Sequence, residues 1–405
     1  MRKILSIVGI SLALLMTILP ISNDVIFVCK KTKDAAVVSA NEKQVTEDLK
    51  STLGLTAKSA VLIDAKSGKI IYGDNENERL APASMTKIIT LLVVMKQIEK
   101  GALSLEYETV ISEYAASQEG SECYLDANAK YKIKDLIKSV AVASANDSSV
   151  ALAEAAFGDE KVFVGEMNKL AASLNMTNTN FVNCTGLDVD GHYSCAADMC
   201  KAIKELAKYD TVKEFSKVWC YDMEHSKGRV TNLTNTNRLI RSNPDLVLAK
   251  TGHTDNAGYC LTALAKRNNN EIVASVFGVK DSKVRFEEMS KLLNYGLTNF
   301  ETIKVLDKMT PLGTIKVAGS ETEEVSYYAK DDVFVLTKKG ETVIPETIIN
   351  LTSDKIKAPV KAGYVVGEMI VNANGEQTQV LLEVRDSVNK SSYNEIVTDL
   401  IKPVF

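Results

Sequence analysis

The sequence predicts an α+β fold followed by a separate all-β region. Strand-like runs lie at both ends of the first three hundred residues, with helical patterns between them. Such early and late strands join in one sheet, against which the intervening helices pack. After residue 301, short apolar runs alternate with glycine, proline and aspartate turns, and helical patterns nearly vanish. This texture is typical of a small β domain.

Composition places the chain among ordinary globular proteins, with 45% hydrophobic residues, 25% charged residues and a formal net charge of −4. The lack of a basic excess argues against a nucleic acid partner. Arg2 and Lys3 precede an uncharged apolar stretch over residues 4–19, which is the pattern of an export signal. We therefore predict that residues 1–40 are a signal peptide or N-terminal anchor. The protein would act outside the cytoplasm, in the cell wall or at the outer face of the cytoplasmic membrane.

The predicted catalytic domain covers residues 41–300. It opens with an amphipathic helix, and a β-hairpin follows because two apolar runs flank a turn that contains Gly68. Further helices are predicted at about residues 82–100, 133–142, 147–156, 163–174, 196–209 and 283–299. Strands are predicted at about residues 59–64, 69–72, 246–252, 259–265 and 271–279.

The C-terminal part of the chain is predicted as an all-β domain over residues 301–385 and an amphipathic tail over residues 386–405. In the tail, apolar residues from Tyr393 to Phe405 recur at helical spacing. Such a helix either docks on its own domain or lies at a membrane surface, and the pattern leaves both interpretations open.

One short stretch has the pattern of a nucleophile beside its base. Ser84 and Lys87 lie three residues apart at the start of an apolar helix, so their side chains share one face. A serine needs a base within hydrogen-bond reach, and a lysine serves when burial or nearby positive charge lowers its pKa. The same spacing recurs at Ser387 and Lys390 without an apolar helix. Spacing alone therefore does not identify a site.

Two further polar clusters follow Ser84 in the chain, Ser144-Ala145-Asn146 and Lys250-Thr251-Gly252. The order S-x-x-K, S-x-N, K-T-G resembles that of the penicillin-recognising serine acyl-transferases. Over about residues 45–300, the surroundings resemble the D-alanyl-D-alanine carboxypeptidases, the low-molecular-mass penicillin-binding proteins. The resemblance implies a β-lactamase/transpeptidase-like catalytic domain, with an antiparallel sheet flanked by helices. The all-β region fits that family's second domain.

The resemblance implies a catalytic role for three side chains. Ser84 would be acylated, Lys87 would take its proton, and Ser144 would relay a proton to the departing D-alanine. Asn146 would hydrogen-bond the substrate amide and the region of Lys87. Lys250 is expected to help keep Lys87 neutral, because like charges depress a lysine pKa.

The resemblance also implies a substrate-binding role for the third cluster. Lys250 and Thr251 would face the terminal carboxylate of the substrate. Gly252 would let the strand backbone approach the substrate closely. The backbone N–H groups of Ser84 and His253 would form the oxyanion hole.

The predicted function is that of a serine-type D-alanyl-D-alanine carboxypeptidase that trims peptidoglycan stem pentapeptides and is inhibited covalently by β-lactams. We expect no cofactor and no metal ion. A class A-like β-lactamase shares the clusters, but Glu166 and Asn168 lack the spacing of its deacylating pair. A D,D-endopeptidase would use the same groups and stays open. A wall-binding protein with an inactive site would lack at least one of the clusters' polar residues, and none is missing.

Several features have plainer interpretations. Ser144-Ala145-Asn146 suits a cap for the helix that follows, and His192 suits a loop-organising role better than proton transfer. Asn183-Cys184-Thr185-Gly186 departs from the family's Asn-Pro-His-Gly, which puts the loop geometry in doubt more than the reaction. The cysteines are expected to be unpaired small apolar residues, although three bridges among six of them stay open. Arg238 either helps to recognise an anionic group or lies at the surface.

Overall fold

The structure, a computed structural model, describes residues 48–391. The predicted export segment and most of the predicted C-terminal tail, including its apolar stripe, lie outside the described residues. Within residues 48–391, no helix is both long enough and apolar enough to cross a membrane.

The helices and strands follow the predicted order. The helices are α1 (residues 48–53), α2 (Lys87–Glu99), α3 (Glu113–Ala116), α4 (Ile133–Ala143), α5 (Asn146–Phe157), α6 (Glu160–Ser173), α7 (Ala196–Leu206), α8 (Asp210–Ser216) and α9 (Ser282–Asn299). The first strands are β1 (Ser59–Asp64), β2 (Ile70–Asp74), β3 (Glu108–Val110), β4 (Lys130–Lys132), β5 (Cys220–Glu224), β6 (Val230–Thr234), β7 (Leu246–Thr254), β8 (Gly258–Arg267) and β9 (Asn270–Val279). The paired strands β5 and β6 form a hairpin that the sequence patterns did not single out.

The central sheet joins the early hairpin to the three late strands in the order β2-β1-β9-β8-β7, and all its pairs are antiparallel. Both faces are covered, because successive residues of a strand point to opposite sides. On β1, Val61 belongs to the core that contains α2, whereas Ala60 and Leu62 belong to the core that contains α9. The strand β7 lies at the end of this order, and among the described residues no strand pairs with its outer edge.

The second region is built from strands alone. Its strands are β10 (Phe300–Leu306), β11 (Pro311–Ala318), β12 (Glu324–Ala329), β13 (Val333–Lys338), β14 (Glu346–Leu351), β15 (Lys355–Lys357), β16 (Tyr364–Ala373) and β17 (Glu376–Val384). They form a six-stranded sheet, β14-β16-β17-β12-β11-β15, and a pair, β10-β13. The predicted α+β fold with a following all-β domain is confirmed.

The two regions meet where α9 ends and β10 begins. Thr302 donates a hydrogen bond from Oγ1 to Asp64 Oδ1 at 2.6 Å, and Asn270 Nδ2 donates to Phe300 O at 2.8 Å. Asp64 is buried and also accepts the N–H of Ser67 in the first hairpin turn. These bonds tie the β1–β2 hairpin and β9 to the first strand of the second region.

Candidate active site

Ser84 lies on a 3-10 turn, Ala83–Thr86, that leads directly into α2. The sequence predicts a regular helix from Pro82, and the structure differs because Ala83 adopts a left-handed backbone with φ of 47°. Strained non-glycine residues of this kind cluster at functional sites. Ala83 and Met85 are fully buried whereas Ser84 is partly exposed, so the turn leaves the serine accessible.

Lys87 occupies the first position of α2, and its exposed fraction is 0%. Its Nζ lies 3.0 Å from Ser84 Oγ, 2.6 Å from Asn146 Oδ1 and 2.6 Å from the carbonyl oxygen of Thr185. Three acceptors around one amine hold it in a single position. The structure therefore places the predicted base against the predicted nucleophile.

The pKa of Lys87 is lowered to about 7, chiefly because burial disfavours the charged form. The negative charge of the nearby Asp147 acts in the opposite direction. The sequence attributed this shift in part to Lys250, whereas in the structure desolvation dominates. At neutral pH a substantial fraction of Lys87 is therefore uncharged and able to accept a proton.

The second cluster lies at the junction of α4 and α5. Ser144 ends α4 in a left-handed conformation with φ of 65°, and Asn146 is the first residue of α5. The Asn146 side chain accepts from Lys87 Nζ and donates from Nδ2 to Glu119 O at 2.6 Å. No side chain caps the start of α5, so the capping interpretation of this cluster was wrong.

The third cluster lies on β7, the edge strand of the central sheet. Lys250 Nζ donates to Ser144 Oγ at 2.8 Å, which links the second and third clusters. Burial lowers the pKa of Lys250 well below its usual value, and the charges of Lys87 and Arg285 lower it further. Thr251 Oγ1 lies 2.8 Å from Thr236 Oγ1, a partner that no sequence pattern indicated.

Gly252 brings β7 against the turn that carries Ser84. A Cβ atom at this position would lie 2.7 Å from Pro82 O and 3.2 Å from Met85 N. Only glycine therefore permits this approach without displacing the strand. The next residue, His253, is exposed, and its ring stacks on Tyr259 with centroids 4.1 Å apart.

His192 connects the turn that carries Ser84 to the loop at Val182 by hydrogen bonds. Its Nδ1 accepts the N–H of Val182 at 3.1 Å, so the proton of the neutral ring lies on Nε2, which donates to Thr86 Oγ1 at 2.8 Å. Burial lowers the pKa of His192 to about 4, which keeps the ring neutral. Both ring nitrogens are thus engaged within the protein, as the loop-organising interpretation requires.

The loop that departs from the family pattern contributes a backbone group to the site. Thr185 presents its carbonyl to Lys87, and the Cys184 carbonyl accepts from Thr90 Oγ1 at 2.7 Å. The next residue, Gly186, has a φ of 86°. A Cβ atom at this position would lie 1.9 Å from Ala83 O, so the position requires glycine. Sequence reasoning missed this contact, because a carbonyl group has the same chemistry in every residue type. The cysteines Cys123, Cys184, Cys195, Cys200, Cys220 and Cys260 are unpaired.

The structure brings the three predicted clusters into one site. Ser84, Lys87 and Asn146 are joined by direct hydrogen bonds, and Lys250 joins Ser144. Arg238, whose role the sequence left open, is exposed at the start of a short 3-10 turn. An accessible serine beside a buried lysine whose pKa is about 7 is equipped for nucleophilic catalysis.

Comparison with known proteins supports the same chemistry. A family model described as D-alanyl-D-alanine carboxypeptidase matches residues 42–281, and a model of the C-terminal domain of penicillin-binding protein 5 matches residues 300–394. The D-alanyl-D-alanine carboxypeptidase DacF of Bacillus subtilis (strain 168) is 39% identical over 326 residues, 80% of this chain and 84% of the relative. DacC of Escherichia coli (strain K12), another D-alanyl-D-alanine carboxypeptidase, is 31% identical over 357 residues, 86% of this chain and 88% of the relative.

Solved structures also match this chain. Penicillin-binding protein 5 from Haemophilus influenzae is 31% identical with a TM-score of 0.72, and the match covers 83% of this chain and 98% of that chain. The match spans both the helix-flanked sheet and the all-β region. The resemblance inferred from the three clusters is confirmed.

Proposed function

The chain belongs to the D-alanyl-D-alanine carboxypeptidase family of serine-type peptidases, and we propose that it removes the terminal D-alanine of peptidoglycan stem peptides through Ser84. One observation carries the assignment of the nucleophile. Ser84 Oγ lies 3.0 Å from the amine of a fully buried lysine whose pKa is about 7. A base with a pKa near the working pH combines proton affinity with availability of the free amine.

In the proposed acylation step, Ser84 Oγ attacks the carbonyl carbon of the penultimate D-alanine while Lys87 Nζ takes the hydroxyl proton. The N–H groups of Ser84 and His253 stabilise the negative oxygen of the tetrahedral intermediate. Lys250 receives the proton that Lys87 took from Ser84, which leaves Lys87 neutral for deacylation. The C–N bond breaks as the leaving amine receives a proton from Ser144, which recovers one from Lys250. Their separation of 2.8 Å suits this relay. The products are an ester on Ser84 and free D-alanine.

In the proposed deacylation step, water attacks the ester carbonyl and the bond to Ser84 Oγ breaks. Lys87 accepts a proton from the water and returns one to Ser84 Oγ, which regenerates the enzyme. The three acceptors around the Lys87 amine keep it in place for both steps. A β-lactam would acylate Ser84 by the same route, with the strained ring amide as the bond that breaks.

The terminal carboxylate of the substrate fits the third cluster. Burial and the charge of Lys87 disfavour a positive charge on Lys250 in the free enzyme. A bound carboxylate would raise the pKa of Lys250, because an opposite charge nearby favours the ammonium form. Substrates that end in a free carboxylate would thereby complete the charge balance of the site, with Thr251 as a second contact.

The proposed substrate places the active site outside the cytoplasmic membrane. The predicted export segment 1–40 accounts for transport to that side. We further propose that the tail, residues 386–405, contacts the membrane surface through the apolar stripe in its sequence. Removal of residues 392–405 should then shift the protein from the membrane pellet to the supernatant without changing Ser84 chemistry. An unchanged distribution would contradict membrane contact.

The experiment that tests the function combines labelling by a fluorescent penicillin with mass spectrometry of a pentapeptide that ends in D-Ala-D-Ala. Wild-type protein should take up label and release D-alanine, and Ser84→Ala should do neither. Ser387→Ala is the matched control, because it alters the second S-x-x-K pattern of the chain and should leave both activities unchanged.

The same assay separates the alternatives. Slow loss of label with D-alanine release supports the carboxypeptidase. Rapid turnover of penicillin would identify a β-lactamase, and cleavage of cross-linked peptides without D-alanine release would identify an endopeptidase. Labelling that survives Ser84→Ala would overturn the assignment of the nucleophile.

A further inference from the structure

The guanidinium of Arg285 is buried next to the third cluster, where α9 contacts β7 and β8. Arg285 projects from the first turn of α9, and its exposed fraction is 5%. Its Nη1 donates to the carbonyl oxygen of Gly252 at 3.1 Å and to that of Cys260 at 3.3 Å. Its Nη2 contacts Ser282 Oγ at 3.5 Å. No motif in the sequence indicated this residue.

The charge of Arg285 is not balanced by a carboxylate. Among the side chains that the structure describes, no acidic one forms an ion pair with it, and its buried Nε has no hydrogen-bond partner. Burial lowers its pKa to about 10, so the group stays protonated at neutral pH. Burying an unpaired charge destabilises the folded protein. The rings of Tyr259 and Phe286, with centroids 5.4 and 4.5 Å from the guanidinium carbon, offset part of that destabilisation.

The geometry connects this charge to the predicted oxyanion hole. Gly252 pairs with Cys260 of β8, and the same Nη1 reaches both carbonyl oxygens, so the Gly252 C=O points toward β8. In a trans peptide the C=O and the following N–H point in opposite directions. The His253 N–H therefore points away from Arg285, to the unpaired edge of β7. The adjoining face of β7 packs against the turn of Ser84, since a Cβ at Gly252 would lie 2.7 Å from Pro82 O.

We propose that Arg285 is a positioning residue for acyl transfer, whose guanidinium polarises the Gly252–His253 peptide group and so strengthens the His253 N–H as an oxyanion donor. A charged donor on the carbonyl oxygen withdraws electron density from the amide, and hydrogen bonds in a chain strengthen one another. The same bond holds β7 at its distance from Ser84. The inference rests on the proposed function, because it assigns a role within that reaction.

Two measurements on Arg285→Met test this proposal. The first is the rate constant for acylation of Ser84 by a fluorescent penicillin, which should fall about tenfold. Loss of a whole oxyanion donor costs roughly a hundredfold or more, and here the donor is weakened and not removed. The second is the infrared stretching frequency of the acyl-enzyme carbonyl, formed with a ¹³C-labelled β-lactam. It should move to higher wavenumber, because a weaker oxyanion hole polarises the ester less.

Ser282→Ala is the matched control, since it removes another contact of the same guanidinium but none with Gly252. It should leave the rate and the carbonyl frequency unchanged. If Arg285→Met does not fold, as judged by its thermal melting transition, Arg285→Gln carries the test. The glutamine amide keeps a donor without the charge, and a smaller shift in the same direction is expected.

A wild-type rate together with a wild-type carbonyl frequency in a folded Arg285 variant would overturn the proposal. A slower rate with an unshifted frequency would also overturn it, since it would show that Arg285 only supports the strand. Failure of wild-type protein to acquire label on Ser84 would instead overturn the proposed function. The two failures are therefore distinguishable.

Discussion

The chain carries the pattern S-x-x-K in two regions, and the structure gives the two copies different surroundings. Ser84 and Lys87 lie where a strained turn enters a buried helix, and the lysine is held by three acceptors. Ser387 and Lys390 lie in exposed extended chain beyond β17. There Ser387 only accepts the N–H of Ala362, at 3.1 Å. Burial, and not spacing, therefore separates a potential base from a surface lysine.

The largest expected effect comes from replacing the base. Lys87→Met removes the amine but keeps a side chain of similar length, and the acylation rate should fall about a thousandfold or more. Lys390→Met should leave that rate unchanged, because the exposed copy has no contact with Ser84. Penicillin labelling kinetics measure both. A loss below tenfold in Lys87→Met would refute the difference between the two copies.

The second-largest effect tests how closely β7 must approach Ser84 and Lys87. In Gly252→Ala, the new methyl group would lie 2.7 Å from Pro82 O, so the strand or the turn must move. Because a displacement of about 1 Å can cost a hundredfold in rate, we expect a loss of that order. In Gly165→Ala the methyl group meets nothing within 4 Å on α6. That control should keep full activity, and equal rates in the two variants would contradict the prediction.

His192 allows a test of the support beneath the Ser84 turn. Its pKa is 6.5 when unfolded and about 4 when folded, so the unfolded chain takes up the proton first as the pH falls. Folding free energy is therefore lost between pH 6.5 and about 4, by about 3 kcal/mol from this group. In denaturant unfolding between pH 6.5 and about 4, the free energy of unfolding should fall less in His192→Gln than in the wild type. Parallel stability curves would argue against a buried neutral ring.

The smallest effect is the pH profile of the intact enzyme. Because neutral Lys87 is the proposed base, acylation should rise tenfold per pH unit below about pH 7 and then level off. A lysine with the environment of a surface residue would let the rate rise to above pH 10. Labelling rates between pH 5 and 9 measure the profile. A rate that still rises steeply at pH 9 would contradict the lowered pKa of Lys87.

Much of the fold was predictable from the sequence. The helices α4 to α7 and the strands β7 to β9 follow from apolar periodicity and from turn residues. The backbone of the Ser84 turn was not, because the turn packs closely against Gly186 and Gly252, which lie far away in the chain. The β5–β6 hairpin was missed because its sequence is polar and only two of its side chains, Met223 and Leu233, are buried.

The site likewise combines residues that the sequence indicates with contacts that only the folded chain reveals. Residue type and order were enough to select Ser84, Lys87, Ser144, Asn146 and the Lys250 cluster, because each chemistry requires particular side chains. The sequence could not indicate the Thr185 carbonyl, the neutral state of His192 or the unpaired charge of Arg285. Each of these depends on which groups surround a residue and on how much water they exclude.

By itself, the sequence determined which functional groups the protein possesses and the order in which they occur. The tertiary structure decided which serine–lysine pair has the environment of the proposed nucleophile and base, by removing Lys87 from water and leaving Lys390 in it. The physical reason is that the free energy of a charge depends on its solvation and on its neighbours, and both are properties of the folded chain.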